Sequence, residues 1–266
     1  MPIRFSTALR NAAAGGFGVR EFLRDGRLFV YSGAQPASAD VAPTGTLICT
    51  YTLSGGSFTA PTRSSAKFTI AGGSGSIDTV KVGGLTENLL SAAVPYNIST
   101  TQTATDVAAN INARQNGLNI VAQASGSDVN LYLPHWLGAN GNGLTLAVTA
   151  TTLTAQINGG SSSTFGGTGS PAAGVTAVNG LNFQFPAVNG VLSKEVTVWQ
   201  GTAAVTGTAG YFRFVAGGST VDGVGGTDIR FDGSVATSGG DLNLSSTSFA
   251  SGAVQTISGF DINVGA

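Results

Sequence analysis

Few residues in this sequence have the side chains from which catalytic or metal sites are usually built. His135 is the only histidine and Cys49 the only cysteine. They cannot complete a closed zinc site within one chain. A Ser-His-Asp triad would have to use His135, which stands between Pro134 and Trp136, and no Gly-x-Ser-x-Gly elbow accompanies it. The sequence therefore predicts a structural role for His135 and a small-core-residue role for Cys49.

The carboxylates are no better placed for chemistry. A glycosidase needs two carboxyl groups roughly 5–10 Å apart, and the three glutamates lie in different sections of the chain, which leaves aspartate pairs as the alternative. One aspartate cluster stands among glycines, but its spacing is not that of an EF-hand loop, so ordinary Asx turns compete with incidental calcium binding. We predict a non-enzyme without cofactor or metal. The residues considered are Glu21, Glu87 and Glu195, and the cluster Asp222, Asp228 and Asp232.

Two glycine-rich runs superficially resemble phosphate-binding loops. They are residues 72–75 and 138–143. Neither is followed by Lys-Ser/Thr and a helix, which a phosphate cradle requires. Both are therefore predicted to be turns.

The overall composition favours a β protein that functions through its surfaces. Of 266 residues only 9% are charged, against roughly 25% in an ordinary soluble domain. Forty glycines separate short apolar runs, as expected for one or two domains of short strands and tight turns. A neutral surface of this kind suits permanent burial against partners.

Charge and hydropathy exclude two classes of partner. The net charge of −1 offers no field for a phosphate backbone, so no nucleic acid is expected. No stretch approaches the roughly 18 apolar residues of a membrane span, and we expect a protein made in a cytoplasm. The first 27 residues nevertheless hold five arginines against two acidic residues, which indicates either a solvated basic helix or a docking arm for an acidic surface. The candidate docking residues are Arg4, Arg10, Arg20, Arg24 and Arg27.

Hydrophobic periodicity predicts the outer elements. A short helix begins near Ser6 and is broken at Gly15-Gly16. Two strands follow at 27–32 and 45–53. After residue 174 the alternating pattern returns, and its aromatic residues, Phe185 among them, are expected to be core residues first and interface anchors second. The later predicted strands are 181–185, 194–199, 210–215, 229–235, 242–249 and 255–264.

The middle of the chain predicts one helix on a sheet. Thr103 is predicted as the helix N-cap, with Ala104, Val107, Ala108 and Ile111 as a core-facing stripe and Asn116-Gly117 as the end. Residues 159–174, rich in Gly and Ser, are predicted to form a flexible linker. The strands predicted here are 67–71, 79–82, 120–124, 130–134 and 144–150.

Several stretches resemble tailed-bacteriophage virion proteins. The segment from Tyr31 to Ile48, with the runs from Gly207 to Phe214 and Gly233 to Leu242, is similar to a family of small phage head-decoration proteins in which such stretches lie in one domain. The middle section, from the Val80 strand to the turn at 138–146, resembles an accessory domain inserted in many phage head and tail proteins. The resemblance implies a virion location.

The expected architecture is mainly β. It is an antiparallel, jelly-roll-like β-sandwich with a short N-terminal helix, formed by residues 1–62 and 175–266, with a small inserted α+β domain at 63–174. The expected function is a capsid decoration or cement protein that binds the major capsid protein, other virion proteins and copies of itself. A tail or head-to-tail connector component is the alternative. An adhesion module that binds host carbohydrate through Tyr96, Tyr132 and Trp136 is the alternative of another class.

Overall fold

The computed structural model describes residues 3–14, 18–83, 87–114, 120–221 and 228–263. It divides the chain into two compact units. Unit 1 is Met1–Ala60 with Ala177–Ala266, and unit 2 is Pro61–Thr176. The predicted insertion, 63–174, begins and ends two residues inside unit 2. In the described part of the chain, no helix is both long and apolar enough to cross a membrane.

Strands dominate the described residues, as the composition predicted. The helices are α1 Thr7–Ala14, α2 Val19–Phe22 and α3 Thr100–Ala113, with 3₁₀ turns at His135–Gly141 and Asn158–Gly160. The strands are β1 Arg4–Phe5, β2 Arg27–Ser32, β3 Leu47–Leu53, β4 Ser65–Ala71, β5 Ser76–Val82, β6 Val94–Pro95, β7 Val121–Ser125, β8 Asp128–Tyr132, β9 Leu146–Thr151, β10 Thr154–Ile157, β11 Val191–Ser193, β12 Trp199–Thr202, β13 Gly207–Val215, β14 Arg230–Ala236, β15 Leu242–Asn243, β16 Ser248–Phe249, β17 Val254–Ile257 and β18 Asp261–Asn263.

Unit 1 is built on a nine-stranded sheet. Its main path is β1-β14-β13-β2-β3-β12-β17, with β15 beside β14 and β16 beside β13. Its strand pairs are antiparallel apart from the parallel pair β14–β15. A separate antiparallel ribbon joins β11 to β18. Because β2 and β3 lie between β13 and β12, strands from both ends of the chain complete one sheet.

One face of this sheet is covered by aromatic rings. The Phe260 ring, just before β18, lies 5.3 Å from Phe212 and 5.9 Å from Trp199, centroid to centroid. Phe183 lies 5.5 Å from Trp199, edge to face. All of these side chains are buried, and such ring pairs add about 0.5–1.5 kcal/mol each beyond their buried area. The sequence correctly placed Phe183, Trp199 and Phe212 in the core.

The opposite face of the sheet buries an ion cluster. Arg213 donates from Nε and Nη2 to the two carboxylate oxygens of Asp232, at 2.8 Å each, and both side chains are fully buried. Arg213 and Arg230 also donate to the carbonyl oxygen of Val221, at 3.1 and 3.0 Å. Within the described residues, Nε and Nη2 of Arg230 have no hydrogen-bond partner, and burial lowers the pKa of this arginine. The cluster therefore consists of one ion pair, Arg213 with Asp232, and a second buried arginine, Arg230, beside it.

Unit 2 has an aliphatic core around α3. Two sheets, β10-β4-β8-β7 and β6-β5-β9, form it with the helix, which packs against β7 and β8. The predicted helix stripe of Ala104, Val107, Ala108 and Ile111 is buried, which confirms that part of the sequence analysis.

The predicted N-cap was wrong. Ser99 is the cap of α3, and its Oγ accepts a hydrogen bond from the backbone N–H of Gln102 at 3.1 Å. Thr103 lies one turn inside, buried, and donates from Oγ1 to the Ser99 carbonyl oxygen at 2.8 Å. Thr103 precedes Val107 by four residues, so it belongs to the buried stripe. The predicted helix end at Asn116-Gly117 and the break at Gly15-Gly16 lie outside the described residues.

Residues 159–174 are packed, in contrast to the predicted linker. Phe165 is fully buried in the core of unit 2. Its N–H donates to the Leu144 carbonyl oxygen at 2.9 Å, and the N–H of Gly166 donates to the Ser65 carbonyl oxygen at 2.8 Å. A buried aromatic ring thus fixes a segment whose composition is typical of flexible chain.

Two predicted strands after residue 174 are absent as strands. Residues 181–185 make only isolated bridges, and the backbone between β11 and β12 leaves strand pairing over most of 194–198. The predicted strands 242–249 and 255–264 are each split in two, into β15 and β16 and into β17 and β18. Pro186 directly follows the segment 181–185, and Ser245-Ser246-Thr247 interrupts the segment 242–249, which the apolar alternation concealed.

Candidate interaction surface

The five arginines of the predicted docking arm do not form one patch. Arg20 and Arg24 both form ion pairs with Glu21, Arg24 at 3.2 Å. Arg20 Nε also donates to the Phe183 carbonyl oxygen at 2.9 Å. These two side chains are therefore bound to their own unit rather than presented as a free basic surface.

The remaining three arginines differ from one another. Arg27 is half-buried, with its guanidinium 5.0 Å from the centroid of Phe29 and 4.3 Å from that of Phe58, and burial lowers its pKa. Arg4 donates to a backbone carbonyl at Pro36. Arg10 is exposed on α1. A docking role for the arginines stays a prediction, and Arg10 is the member that lies most open to a partner.

The residues weighed for catalysis are divided between the two units. His135 is buried in a 3₁₀ turn, with its ring 5.3 Å from that of Trp136. Cys49 is buried on β3, and burial raises the pKa of its thiol to about 11. A thiol with such a pKa is protonated near neutral pH and is a poor nucleophile. Glu87 belongs to unit 2, where it pairs with Arg114 at 3.0 Å.

The aspartate cluster is also divided. Asp228 accepts hydrogen bonds from the N–H and Oγ1 of Thr220, at 3.0 and 2.7 Å. Asp232 is bound by Arg213, and Asp222 lies outside the described residues. Within the described ranges, no group of three or more His, Cys, Asp or Glu side chains could hold a metal ion. Of the described aspartates, Asp228 therefore stabilises a loop and Asp232 belongs to a buried ion pair.

The glycine runs form turns. Gly75 has a φ of +105°, and a Cβ there would stand 1.9 Å from the Thr151 carbonyl oxygen. A side chain is therefore excluded at this position by both backbone conformation and space. The second run overlaps the 3₁₀ turn His135–Gly141, where Gly138 has a φ of +47°.

The proposed aromatic platform is not fully exposed. Tyr96, Tyr132 and Trp136 are each half-buried in unit 2. Tyr96 donates from its hydroxyl to the Ile98 carbonyl oxygen at 2.8 Å, and its ring packs on the core. These side chains stabilise their unit first.

Among the described residues, four exposed apolar side chains fall between residues 185 and 198 of unit 1. Here Phe185 is 78% exposed, Val188 64%, Val196 89% and Val198 47%. We call these four side chains the apolar surface. The sequence analysis placed Phe185 in the core, and this was wrong. Pro186 and the turn pair Asn189-Gly190 are the signals that could have shown that the chain leaves the sheet.

Two sets of hydrogen bonds fix the backbone beside the exposed side chains of the apolar surface. Val188 and Val191 exchange backbone hydrogen bonds at 3.2 and 2.9 Å, which closes a tight turn. The buried Lys194 donates from Nζ to the carbonyl oxygens of Glu195 and Thr197, at 2.6 and 3.0 Å. With both carbonyls tied inward, Val196 at the tip of this turn is left facing solvent.

A small cavity adjoins the apolar surface. Its volume is about 260 Å³, and Val19, Arg20, Phe185, Ala187 and Leu192 contribute to its lining. The Arg20 guanidinium lies 5.3 Å from the centroid of the exposed Phe185 ring. A partner side chain that enters here would meet apolar walls and the Arg20–Glu21 ion pair, whose guanidinium lies over the Phe185 ring.

Comparison with known proteins gives no assignment. No family model, curated protein or solved structure matches this chain.

Proposed function

We propose that this chain is a structural protein of a tailed-bacteriophage particle, acting as a capsid decoration or cement protein that bridges neighbouring major capsid subunits. The observation that carries the proposal is the apolar surface of unit 1, in a chain with only 9% charged residues. Large apolar side chains that are this exposed, and that lie close together in the chain, are candidates for a surface that a partner covers. The phage assignment is supported by the sequence resemblance.

The finer fold is part of the same proposal. Unit 1 is a jelly-roll-like β-sandwich in which the β11–β18 ribbon contributes to the second layer. The contacts of Phe260 with Phe212 and Trp199 support this arrangement, because they join the ribbon side to the nine-stranded sheet. A rigid scaffold of this kind presents its connecting loops, including 185–198, in fixed positions.

The mechanism is burial without chemistry. Covering neutral and apolar groups carries little desolvation cost, whereas covering charged groups is expensive. Each copy needs only a modest interface, since many copies on one shell add their contributions. The partners are the major capsid protein, other virion proteins and copies of the chain itself, and the location is the virion after synthesis in the host cytoplasm.

Copy number tests the proposal. Quantitative mass spectrometry of purified particles should find this chain in hundreds of copies. About 3 to 12 copies, the numbers of closed rings, would point to the tail or connector alternative. Absence from particles would overturn the virion assignment altogether.

A matched pair of variants tests the surface. Phe185→Ser with Val196→Ser should strongly reduce incorporation into particles, because both side chains leave the buried interface. Val254→Ser is the control, since Val254 is exposed on β17 outside the apolar surface. Equal incorporation of both variants, with fluorescence showing that both are folded, would exclude the apolar surface as the docking site.

A further inference from the structure

Unit 1 contains a groove that the proposed function does not use. Its volume is about 420 Å³, and its lining includes Ile3, Asp241, Asn243, Phe260, Asp261 and Asn263. These residues lie at or beside the ends of β1, β15 and β18. The groove therefore lies between the edge of the nine-stranded sheet, at β1 and β15, and the edge of the β11–β18 ribbon.

At Asp261, the edge of strand β18 that faces away from β11 is not covered by any described strand. It pairs with β11, with Asp261 opposite Ser193 and Ile262 opposite Leu192. The backbone N–H of Lys194 donates to the Phe260 carbonyl oxygen at 2.8 Å, so Lys194 and Phe260 form a hydrogen-bonded pair. The next pair along the ladder, Ser193 and Asp261, is then a non-hydrogen-bonded pair. Because bonded and non-bonded pairs alternate in an antiparallel ladder, the N–H and C=O of Asp261 point away from β11. In the described chain no other strand pairs with β18.

The groove is negatively charged. Asp241 and Asp261 both line it, and none of the described residues in its lining is Lys or Arg. Asp241 is held in place, since its Oδ2 accepts from the N–H and Oγ of Ser234 at 2.8 and 2.7 Å. Two carboxylates are conspicuous in a chain with only 13 acidic residues.

The apolar side of the groove suits the stem of a long cationic side chain. The half-buried Ile3 provides this apolar side, since the Phe260 ring is buried against Phe212 in the aromatic core. Lys and Arg lay their methylene groups on such surfaces while the charged head meets carboxylates. Backbone edge, charge and apolar floor thus specify one kind of ligand.

We propose that this groove binds an extended segment of a partner protein that carries Lys or Arg, added as a strand beside β18. The main chain of the segment pairs with the outward N–H and C=O of Asp261, and its cationic side chains meet Asp241 and Asp261. Strand addition gives affinity through the backbone and specificity through alternate side chains. The groove and the apolar surface share no residue, so the two proposals stand or fall separately.

Synthetic peptides test this with the full-length chain. The first probe is an end-capped peptide of about seven alternating Lys and Thr residues, a usual strand length. The second replaces Lys by Glu, and the third keeps the Lys-Thr sequence but carries a methyl group on every backbone nitrogen, which keeps the charge and removes the backbone donors. Only the first should bind, with slowed hydrogen exchange at the Asp261 amide. Tight binding of the N-methylated peptide would show that charge alone acts and would overturn strand addition.

Variants of the groove complete the test. Asp241→Asn with Asp261→Asn should weaken binding of the Lys-Thr peptide at least about tenfold, because two charge-assisted contacts are lost. Asp78→Asn with Glu87→Gln removes the same charge from unit 2 and should leave binding unchanged. Equal weakening in both variants, or no binding of any peptide, would overturn the proposal. A concentration-dependent dimer that only the groove variant abolishes would instead assign the groove to a second copy.

Discussion

The two units bury their interiors by different means. Unit 1 packs aromatic rings on one face of its sheet and a bidentate Arg213–Asp232 pair on the other. Unit 2 surrounds α3 with mainly aliphatic side chains, together with the buried rings of Phe68 and Phe165, and its ion pair between Lys67 and Asp128 is partly exposed. We therefore expect the stability of unit 1 to depend more strongly on its ion pair than that of unit 2, although the chain as a whole has few charges.

The units differ also in how far apart in sequence their partners lie. In unit 2, β7 pairs with β8 across a two-residue turn, and α3 packs on both. In unit 1, β2 pairs with β13, about 180 residues later in the chain. Closing such a separation costs chain entropy before any contact forms. One tryptophan in each unit, Trp199 in unit 1 and Trp136 in unit 2, allows their unfolding to be followed separately.

The largest expected difference is between the two ion pairs. Asp232→Asn should lower the free energy of unfolding of unit 1 by about 3–5 kcal/mol, because it leaves buried arginines without their counter-charge. Asp128→Asn in unit 2 should cost below about 1 kcal/mol, because solvent screens that pair. Urea unfolding followed by tryptophan fluorescence measures both. Similar losses would show that the burial of the Arg213 pair is not what matters.

A control separates pairing from packing. Arg213→Met with Asp232→Leu should recover part of the loss, since one uncompensated cation is then removed. Arg230 remains buried and still lacks its carboxylate neighbour, so recovery should be incomplete. A double variant less stable than Asp232→Asn would indicate that packing volume dominates.

The helix of unit 2 offers a smaller effect. Ser99→Ala should destabilise unit 2 by about 1 kcal/mol, because the N–H of Gln102 loses its acceptor. Ser99→Asp is the matched rescue, since its carboxylate can cap the same N–H and also favours a helix N-terminus. Thermal unfolding followed by circular dichroism measures the change. No loss in the alanine variant would place the effective cap elsewhere.

Acid should act more on unit 2. Hydrogen bonds lower the pKa of Asp78, from Ser76 first, and of Asp106, from Asn97 first. At Asp128 burial raises the pKa, but hydrogen bonds from Lys67 and Thr69 outweigh it, and the net pKa is lowered.

A lowered folded-state pKa adds stability that is present above the unfolded value, about 3.9 for Asp, and is lost as pH falls through the folded value. In unit 1, burial raises the pKa of Asp232, which has the opposite sign. This offsets the lowered pKa of Asp40, where burial is outweighed by hydrogen bonds from Thr7 and Ser38. Urea midpoints between about pH 7 and pH 3 should therefore fall more for the Trp136 signal than for Trp199. The reverse order would contradict these assignments.

The smallest effect is expected from removing unit 2. Thr59 and Val178 exchange backbone hydrogen bonds at 3.1 Å each, so the chain leaves and re-enters unit 1 at neighbouring points. Replacing 61–176 by Asn-Gly should leave the unfolding midpoint of Trp199 nearly unchanged, because a two-residue turn can close this gap. Loss of a cooperative transition would show that unit 1 needs unit 2 in order to fold.

Local pattern was sufficient where neighbours in sequence are neighbours in space. The strand at 27–32, the buried stripe of α3 and the core position of Cys49 were all predictable, because side-chain periodicity alone decides which face is buried. The candidate surface was not predictable in the same way. The alternation of apolar residues predicted a strand at 181–185. Phe185 is nevertheless exposed, because Pro186 follows it and none of the described strands pairs with this segment.

Composition and hydrophobic periodicity were enough to predict a charge-poor, glycine-rich β protein with one amphipathic helix, because neither depends on contacts between distant segments. The tertiary structure alone decided which strands pair, that Arg213 and Asp232 meet in the interior, and that Phe165 anchors a segment of linker-like composition. The physical reason is the same in each case. Pairing, burial and exposure depend on which distant segment supplies the missing partner, and sequence spacing does not contain that distance.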